Sequence, residues 1–177
     1  MSKYSSKQKL GFTLIEMAVV LLIIGVLAGI VLRNIGTQGV DARDKRRIAD
    51  LNNLGIQLVQ YSNIMGTYPT TAASGTNSGW TDSFKAAFGN ANLSTQLPLP
   101  PTSNSGDVYH YFPCSRGGAT GTAFVLRAKL EQSANTAPAL YRQSYNSSSE
   151  PSGWSCTAPN GTSFDCQASN NYFCYTQ

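Results

Sequence analysis

Read for polarity alone, the chain changes character along its length. Residues 1–10 are mostly polar, with three lysines and no acid. Residues 12–32 are apolar almost without a break, and residues 40–65 place apolar side chains at helical intervals. The 21 residues from Phe12 to Leu32 would rise about 31 Å as a helix, enough to cross the hydrocarbon core of a bilayer. From Val40 to Met65, the residues Ile48, Leu51, Leu54, Leu58, Tyr61 and Met65 recur at three- or four-residue steps, which predicts an amphipathic helix with one packed face. Gly66 and Pro69 should end it. Run together without interruption from Phe12 to Met65, the two stretches would make a spine of about 80 Å, with Gly36 and Gly39 as its weak points.

Beyond the spine the pattern is short-range. Thr71–Gly79 reads as a loop. Thr81 or Asp82 should cap a short helix through Phe88, with Trp80, Phe84 and Phe88 along one side. Leu97-Pro98-Leu99-Pro100-Pro101 excludes regular structure. Val108–Phe112 and Ala123–Leu130 are aromatic and β-branched, hence strands, separated by a glycine-rich turn over Arg116–Gly121. Tyr141–Tyr145 reads as a third strand. His110, the sole histidine, lies between tyrosines as a strand-face residue.

One residue violates the apolar run. Glu16 stands about one turn inside it, and an ionised side chain at membrane depth costs on the order of 3 kcal/mol, so it needs a partner. No Lys, Arg or His lies between Gly11 and Arg33. A cation near Glu16 arises only if the chain is cut after Gly11, leaving an amine on Phe12 that a neighbouring copy could present to Glu16.

Lys9-Leu10-Gly11-Phe12-Thr13-Leu14-Ile15-Glu16 resembles the prepilin cleavage and methylation motif of type IV pilins and type II secretion pseudopilins. The resemblance implies that a membrane peptidase cuts after Gly11 and methylates Phe12. It also implies that Glu16 registers each subunit against its neighbour's amine during filament assembly. A secretory signal peptide differs, since its apolar part is shorter and precedes the cut. An uncleaved single-pass anchor remains the competing reading of the apolar run. Many type IV pilins carry a proline about where Arg33 stands. Related chains also often carry an aspartate where Pro100 stands, so calcium binding through that position is not expected. Gly25 and Gly29 form a small-xxx-small pair that permits close helix approach, or are simply tolerated.

Composition narrows the class. The chain has 177 residues, of which 12% are charged, about half the usual share. After a leader and a span, about 145 residues remain, enough for one domain. The net charge of +4 includes Lys3, Lys7 and Lys9; without them, 10 basic residues face 9 acidic, so nucleic-acid binding is not indicated. A positive-inside count does not orient the apolar helix, because Arg33, Arg43, Lys45, Arg46 and Arg47 outnumber the leader's lysines. The cysteines favour an extracytoplasmic carboxyl side. Asp41–Lys45, Asp44–Arg47 and Arg46–Asp50 are pairs three or four residues apart, read as a solvated helix face or, alternatively, as subunit pairing along a filament.

Residues 146–177 are rich in Ser, Asn and Gly and hold three of the four cysteines. Too little apolar surface is present to order this segment, so covalent closure is expected: Cys166 with Cys174, and by exclusion Cys114 with Cys156, out of three possible pairings. Such closures would stabilise by up to about 2.5 and 4 kcal/mol. No Cys-x-x-Cys supports zinc. No nucleophile–base pair, paired carboxylates or phosphate loop suggests an enzyme, and no cofactor is expected.

The expected molecule is α+β and pilin-like: a long N-terminal helix, transmembrane in its first half, packed on a small antiparallel sheet. Its expected parts are a leader (1–11), a transmembrane and filament-core helix half (12–32), an amphipathic half (33–66) and a disulfide-closed head (67–177). The resemblance implies a structural subunit of a type IV pilus-like filament. It would sit in the inner membrane before assembly and at the cell surface afterwards, with itself, the prepilin peptidase and an inner-membrane assembly platform and ATPase as partners. The major pseudopilin of a type II secretion system is the alternative within the class. An uncleaved anchor carrying a small binding domain is the alternative outside it.

Overall fold

The computed structural model describes residues 12–76, 78–101, 108–141, 143, 145–159 and 161–177, with the backbone alone at 31–37 and 141. The chain is α+β. Its elements run α1 (Leu14–Met65), β1 (Ala73–Thr76), β2 (Gly79–Trp80), α2 (Asp82–Asn90), β3 (Tyr109–Arg116), β4 (Ala119–Lys129), β5 (Trp154–Cys156) and β6 (Tyr172–Thr176), with 3-10 turns at Pro138–Tyr141 and Ala168–Asn170. By its contacts the chain divides after Gly39 into two units.

In the first unit the described side chains, Phe12 to Ile30, are all exposed. Among the described residues no helix is long and apolar enough to cross a membrane. The side chains of Val31 and Leu32, which end the apolar run, lie outside that description.

The second unit is built on the apolar stripe of α1. Leu51, Leu54 and Leu58 are fully buried, Tyr61 nearly so, and Ile48 packs at the margin. Met65 departs from the expected stripe at 47% exposed. It is the helix's last residue, and Gly66 at φ +79° turns the chain out of the helix immediately after it.

The stripe lies against an antiparallel sheet of order β2-β1-β3-β4-β6, with β5 paired to β3. Strand residues alternate between two faces, and here both faces are buried. Tyr109, Tyr111, Phe124, Leu126, Ala128 and Phe173 pack with the leucines of α1 and with Phe84 and Phe88 of α2. Phe112, Cys114, Ala123, Val125 and Cys174 form a second cluster with Cys166, edged by Tyr145, Trp154 and Phe164. Two backbone and side-chain anchors fix the connections: Tyr111 Oη donates to the Pro69 carbonyl at 2.6 Å, and Trp80 Nε1 to that of Pro98 at 2.8 Å.

Both central strands are longer than the pattern suggested. Gly117 and Gly118, at φ +61° and +82°, make a two-residue turn of the kind that requires positive φ at both positions, so pairing continues to Arg116 and Ala119. Pro113 does not interrupt β3. Its carbonyl accepts from Thr157 N at 2.9 Å, so its backbone polar edge faces the β5 side, and the missing N–H leaves the ladder with β4 intact.

Other expectations need correction. Thr71–Gly79 is not a loop throughout: β1 pairs with β3 through Ala73↔Tyr111 and Gly75↔Tyr109. Its small residues leave room for the Trp80 ring, against which any Cβ on Gly75 would collide. Tyr141–Tyr145 yields no strand among its described residues, because Pro138 opens a 3-10 turn that ends at Tyr141. The carboxyl segment instead supplies β5 and β6. Thr81 occupies the N-cap of α2 without a side-chain capping bond, and its hydroxyl is buried with no partner among the described residues.

The charges of α1 are the largest correction. Asp44 and Arg47 form no solvated face; both are buried. Arg47 Nη1 donates to Asp44 Oδ1 at 2.6 Å, and its Nη2 lies 2.8 Å from Glu131 Oε1. Arg43 forks onto the same Glu131 carboxylate at 2.8 and 2.6 Å. Asp44 also accepts the backbone N–H groups of Glu131 and Gln132, each at 2.9 Å. Burial is tolerable because each charge has opposite charges and hydrogen bonds around it. The cluster ties α1 to the chain just past β4. Asp41–Lys45 at 2.5 Å and Arg46–Asp50 at 3.9 Å keep their exposed basic partners.

Asp44→Ala strands two backbone donors and weakens the hold on a buried guanidinium, and is expected to cost about 3 kcal/mol. Asp41→Ala should cost less than about 1 kcal/mol. Urea unfolding of both variants, followed by near-UV circular dichroism, checks the contrast; equal losses would remove the cluster's assigned weight.

Candidate functional site

The residues singled out in the sequence fall in two places. Glu16 lies in the first turn of α1 and Phe12 just ahead of that helix, while the four cysteines lie in or against the second cluster of the sheet. Gly11 is outside the described residues.

Phe12 is 84% exposed, and α1 begins two residues later. Thr13 N and Thr13 Oγ1 both donate to Glu16 Oε2, each at 2.8 Å, and Glu16 N donates back to Thr13 Oγ1 at 3.3 Å. This is a reciprocal capping box, in which two side chains satisfy the orphan amides of the first turn. The amine of a neighbour is therefore not the sole donor within reach of Glu16. Thr13 was missed in the sequence reading, although Thr-x-x-Glu ahead of an apolar run carries that signal. The exposed residues Leu14, Ile15, Val19, Leu22, Ile23 and others through Ile30 form an apolar surface far beyond what a soluble monomer leaves bare. A Cβ placed on Gly25 or Gly29 would meet nothing within 4 Å.

In the second cluster Cys114 is joined to Cys156 and Cys166 to Cys174. Opposite Cys174 in the β4–β6 register sits Arg127 of β4, which is buried. Its guanidinium lies 5.1 Å from the Phe112 ring centroid and 4.4 Å from that of Tyr172. It donates to the carbonyls of Ser163 at 2.9 Å and Asp165 at 3.2 Å. One buried cation thus holds the loop ahead of Cys166 onto the sheet through charge-assisted bonds and ring faces. Burial lowers its pKa from the ordinary arginine value. His110 Nδ1 lies 3.4 Å from Arg127 Nη2. Burial, and then the Arg127 charge, push the His110 pKa down to about 4, so the ring is neutral at physiological pH and its Nδ1 faces the guanidinium as acceptor. His110 is thus a neutral contact of the clamp. Among the described residues no group of three or more His, Cys, Asp or Glu is placed to hold a metal.

Compared with known proteins, residues 6–32 match the family model of the prokaryotic N-terminal methylation motif, the signature of type IV pilins and pseudopilins. No curated protein and no solved structure matches the chain.

The environment of His110 sets a pH dependence. The unfolded chain takes up the histidine proton near pH 6.5, whereas the folded chain resists it until about pH 4. Between those values protons favour unfolding, so the contribution is fully present above pH 6.5 and falls as pH drops, by on the order of 2 kcal/mol between pH 7 and 4.5. Denaturant unfolding at the two pH values should show a shallower fall in His110→Gln than in the parent chain.

Proposed function

We propose that this chain is a pilin-type structural subunit. Prepilin peptidase cleaves it between Gly11 and Phe12 and methylates the new amine, and the mature chain polymerises into a type IV pilus-like surface filament. In this reading residues 1–11 are the leader, 12–32 hold the precursor in the inner membrane and later line the filament core, 33–66 continue the helix, and 67–177 form the head. Assembly uses other copies of the chain, the peptidase, and an inner-membrane platform with its ATPase.

The observation that carries the reading is the N-terminal one. Glu16 lies within the matched residues 6–32 and in the first turn of a helix whose described apolar side chains through Ile30 are all exposed. Such a helix needs lipid or other helices around it, and a carboxylate there is best neutralised by a cation arriving with the next copy. Before assembly lipid covers the helix, and afterwards neighbouring helices do. The disulfide-closed carboxyl segment favours a surface pilin over a secretion pseudopilin, because persistence outside the cell suits a covalently closed head. The type II pseudopilin remains the second reading, since it shares the same signature.

Mass spectrometry of the protein recovered from cells should find an amino terminus at N-methylated Phe12. Recovery of the uncut chain alone, starting at Met1 or Ser2, would instead establish a membrane anchor. Glu16→Ala should leave membrane insertion intact while abolishing filaments seen by electron microscopy. Glu16→Gln keeps an acceptor for Thr13 but removes the charge, so loss of filaments with Gln as well assigns the requirement to the charge; normal filament yield with Gln would contradict it.

A further inference from the structure

The two disulfides differ in how they meet solvent. Cys166 and Cys174 are both buried, and Arg127 holds the loop just ahead of Cys166. Cys114 is buried, but Cys156 is only half-buried and sits in β5, an edge strand of three residues. Cys114 and Cys156 are direct partners in the β3–β5 register. The backbone bond from Thr157 N to the Pro113 carbonyl places them at a non-hydrogen-bonded pair, where facing Cα atoms come closest; theirs are 4.0 Å apart. The next pair on the same face is Arg116 and Trp154, with the exposed guanidinium stacked 4.6 Å from the indole centroid. A fixed positive charge beside a disulfide stabilises the thiolate expelled from it.

We propose that Cys114–Cys156 is a thiol–disulfide exchange site, opened by an external dithiol while Cys166–Cys174 stays closed. The dithiol's thiolate attacks Cys156 Sγ from the solvent side, and the sulfur–sulfur bond breaks. Cys114 leaves as a thiolate and takes up a proton. The second thiol of the reagent then attacks the mixed disulfide at the reagent's own sulfur, which releases Cys156. The reagent ends as a disulfide and the protein as a dithiol, a transfer of two electrons. Opening detaches β5 and bares the edge of β3 from Pro113 to Arg116, while the core between α1 and the sheet contains neither sulfur of this bond and keeps its packing. This inference does not depend on cleavage or filament assembly.

The test uses the full chain in detergent micelles, exposed to a series of dithiothreitol concentrations, quenched with iodoacetamide and mapped by peptide mass spectrometry. Cys114 and Cys156 should be alkylated together, at least about tenfold faster than Cys166 and Cys174. Their rate should rise linearly with dithiothreitol and be insensitive to low urea, as direct attack requires. The singly opened form should lose hydrogen-exchange protection at residues 151–157 and keep it at Leu51–Leu58 and in β4. Alkylation of Cys166 and Cys174 first, or of all four cysteines in step, would overturn the proposal. Loss of protection in α1 at the first reduction step would overturn it as well.

Discussion

A sheet with two apolar faces needs two covers, and this chain has one long helix to offer. The tyrosines, Phe124 and Leu126 on one face meet the leucine stripe of α1, an arrangement that burial of apolar area stabilises by itself. Phe112, Ala123 and Val125 on the other face meet, among the described residues, Tyr145 and the carboxyl segment, whose Ser, Asn and Gly content gives it little to bury. Other forces hold that second cover in place. Two disulfides fasten it at Cys156 and Cys166, and Arg127 grips two carbonyls of the loop that joins these cysteines. The sheet therefore has one face closed by the hydrophobic effect and one closed by covalent bonds and a buried cation. Changes in redox state or charge should act on the second face before the first.

How legible this was depends on whether a signal was local. The stripe Leu51, Leu54, Leu58 and the strands around Tyr111 and Leu126 show their periods within a few residues, and the fold places them accordingly. β1 and β5 show nothing of the kind. Ala73-Ser74-Gly75-Thr76 and Trp154-Ser155-Cys156 are short and carry one strand-favouring residue each, and they are strands because the backbone of β3 offers each a partner. The strand expected over Val108–Phe112 runs on through Pro113 for a related reason. A proline is disallowed only where its missing N–H is needed, and that depends on which neighbour the strand edge faces.

The charges on α1 carry the same lesson more sharply. Asp41–Lys45 and Asp44–Arg47 look alike as sequence, each an ion pair within one turn. The first is a surface pair, while the second is sealed under the chain that follows β4 because Glu131, 87 residues away from Asp44 in sequence, brings a carboxylate and an amide to it. Nothing within the helix distinguishes the two. Only the long-range partner makes burial of Asp44 and Arg47 affordable, and it turns a solvated face into an attachment point between helix and sheet.

At the amino end the situation reverses: the signal was local, and two explanations compete for one residue. Thr13 gives Glu16 a partner within its own chain, which would be enough to explain a glutamate at the first turn of any helix. The bonds do not exhaust it, however. Both fall on Oε2, and a carboxylate can accept about four hydrogen bonds, so among the described residues Glu16 has acceptor capacity left on Oε1. In the proposed filament the capping box and the neighbour's amine are compatible and act in sequence. Thr13 fixes the carboxylate's rotamer and reduces the cost of carrying the charge at the head of an apolar helix. The arriving cation then meets an acceptor already held in place, which lessens the entropy lost in forming the pair. A glutamate needed only as a cap would lose about 0.3 to 1 kcal/mol of helix-terminus interaction on losing its charge, whereas one needed for assembly would lose the filament, so the same hydrogen bonds permit both roles and the size of the loss separates them.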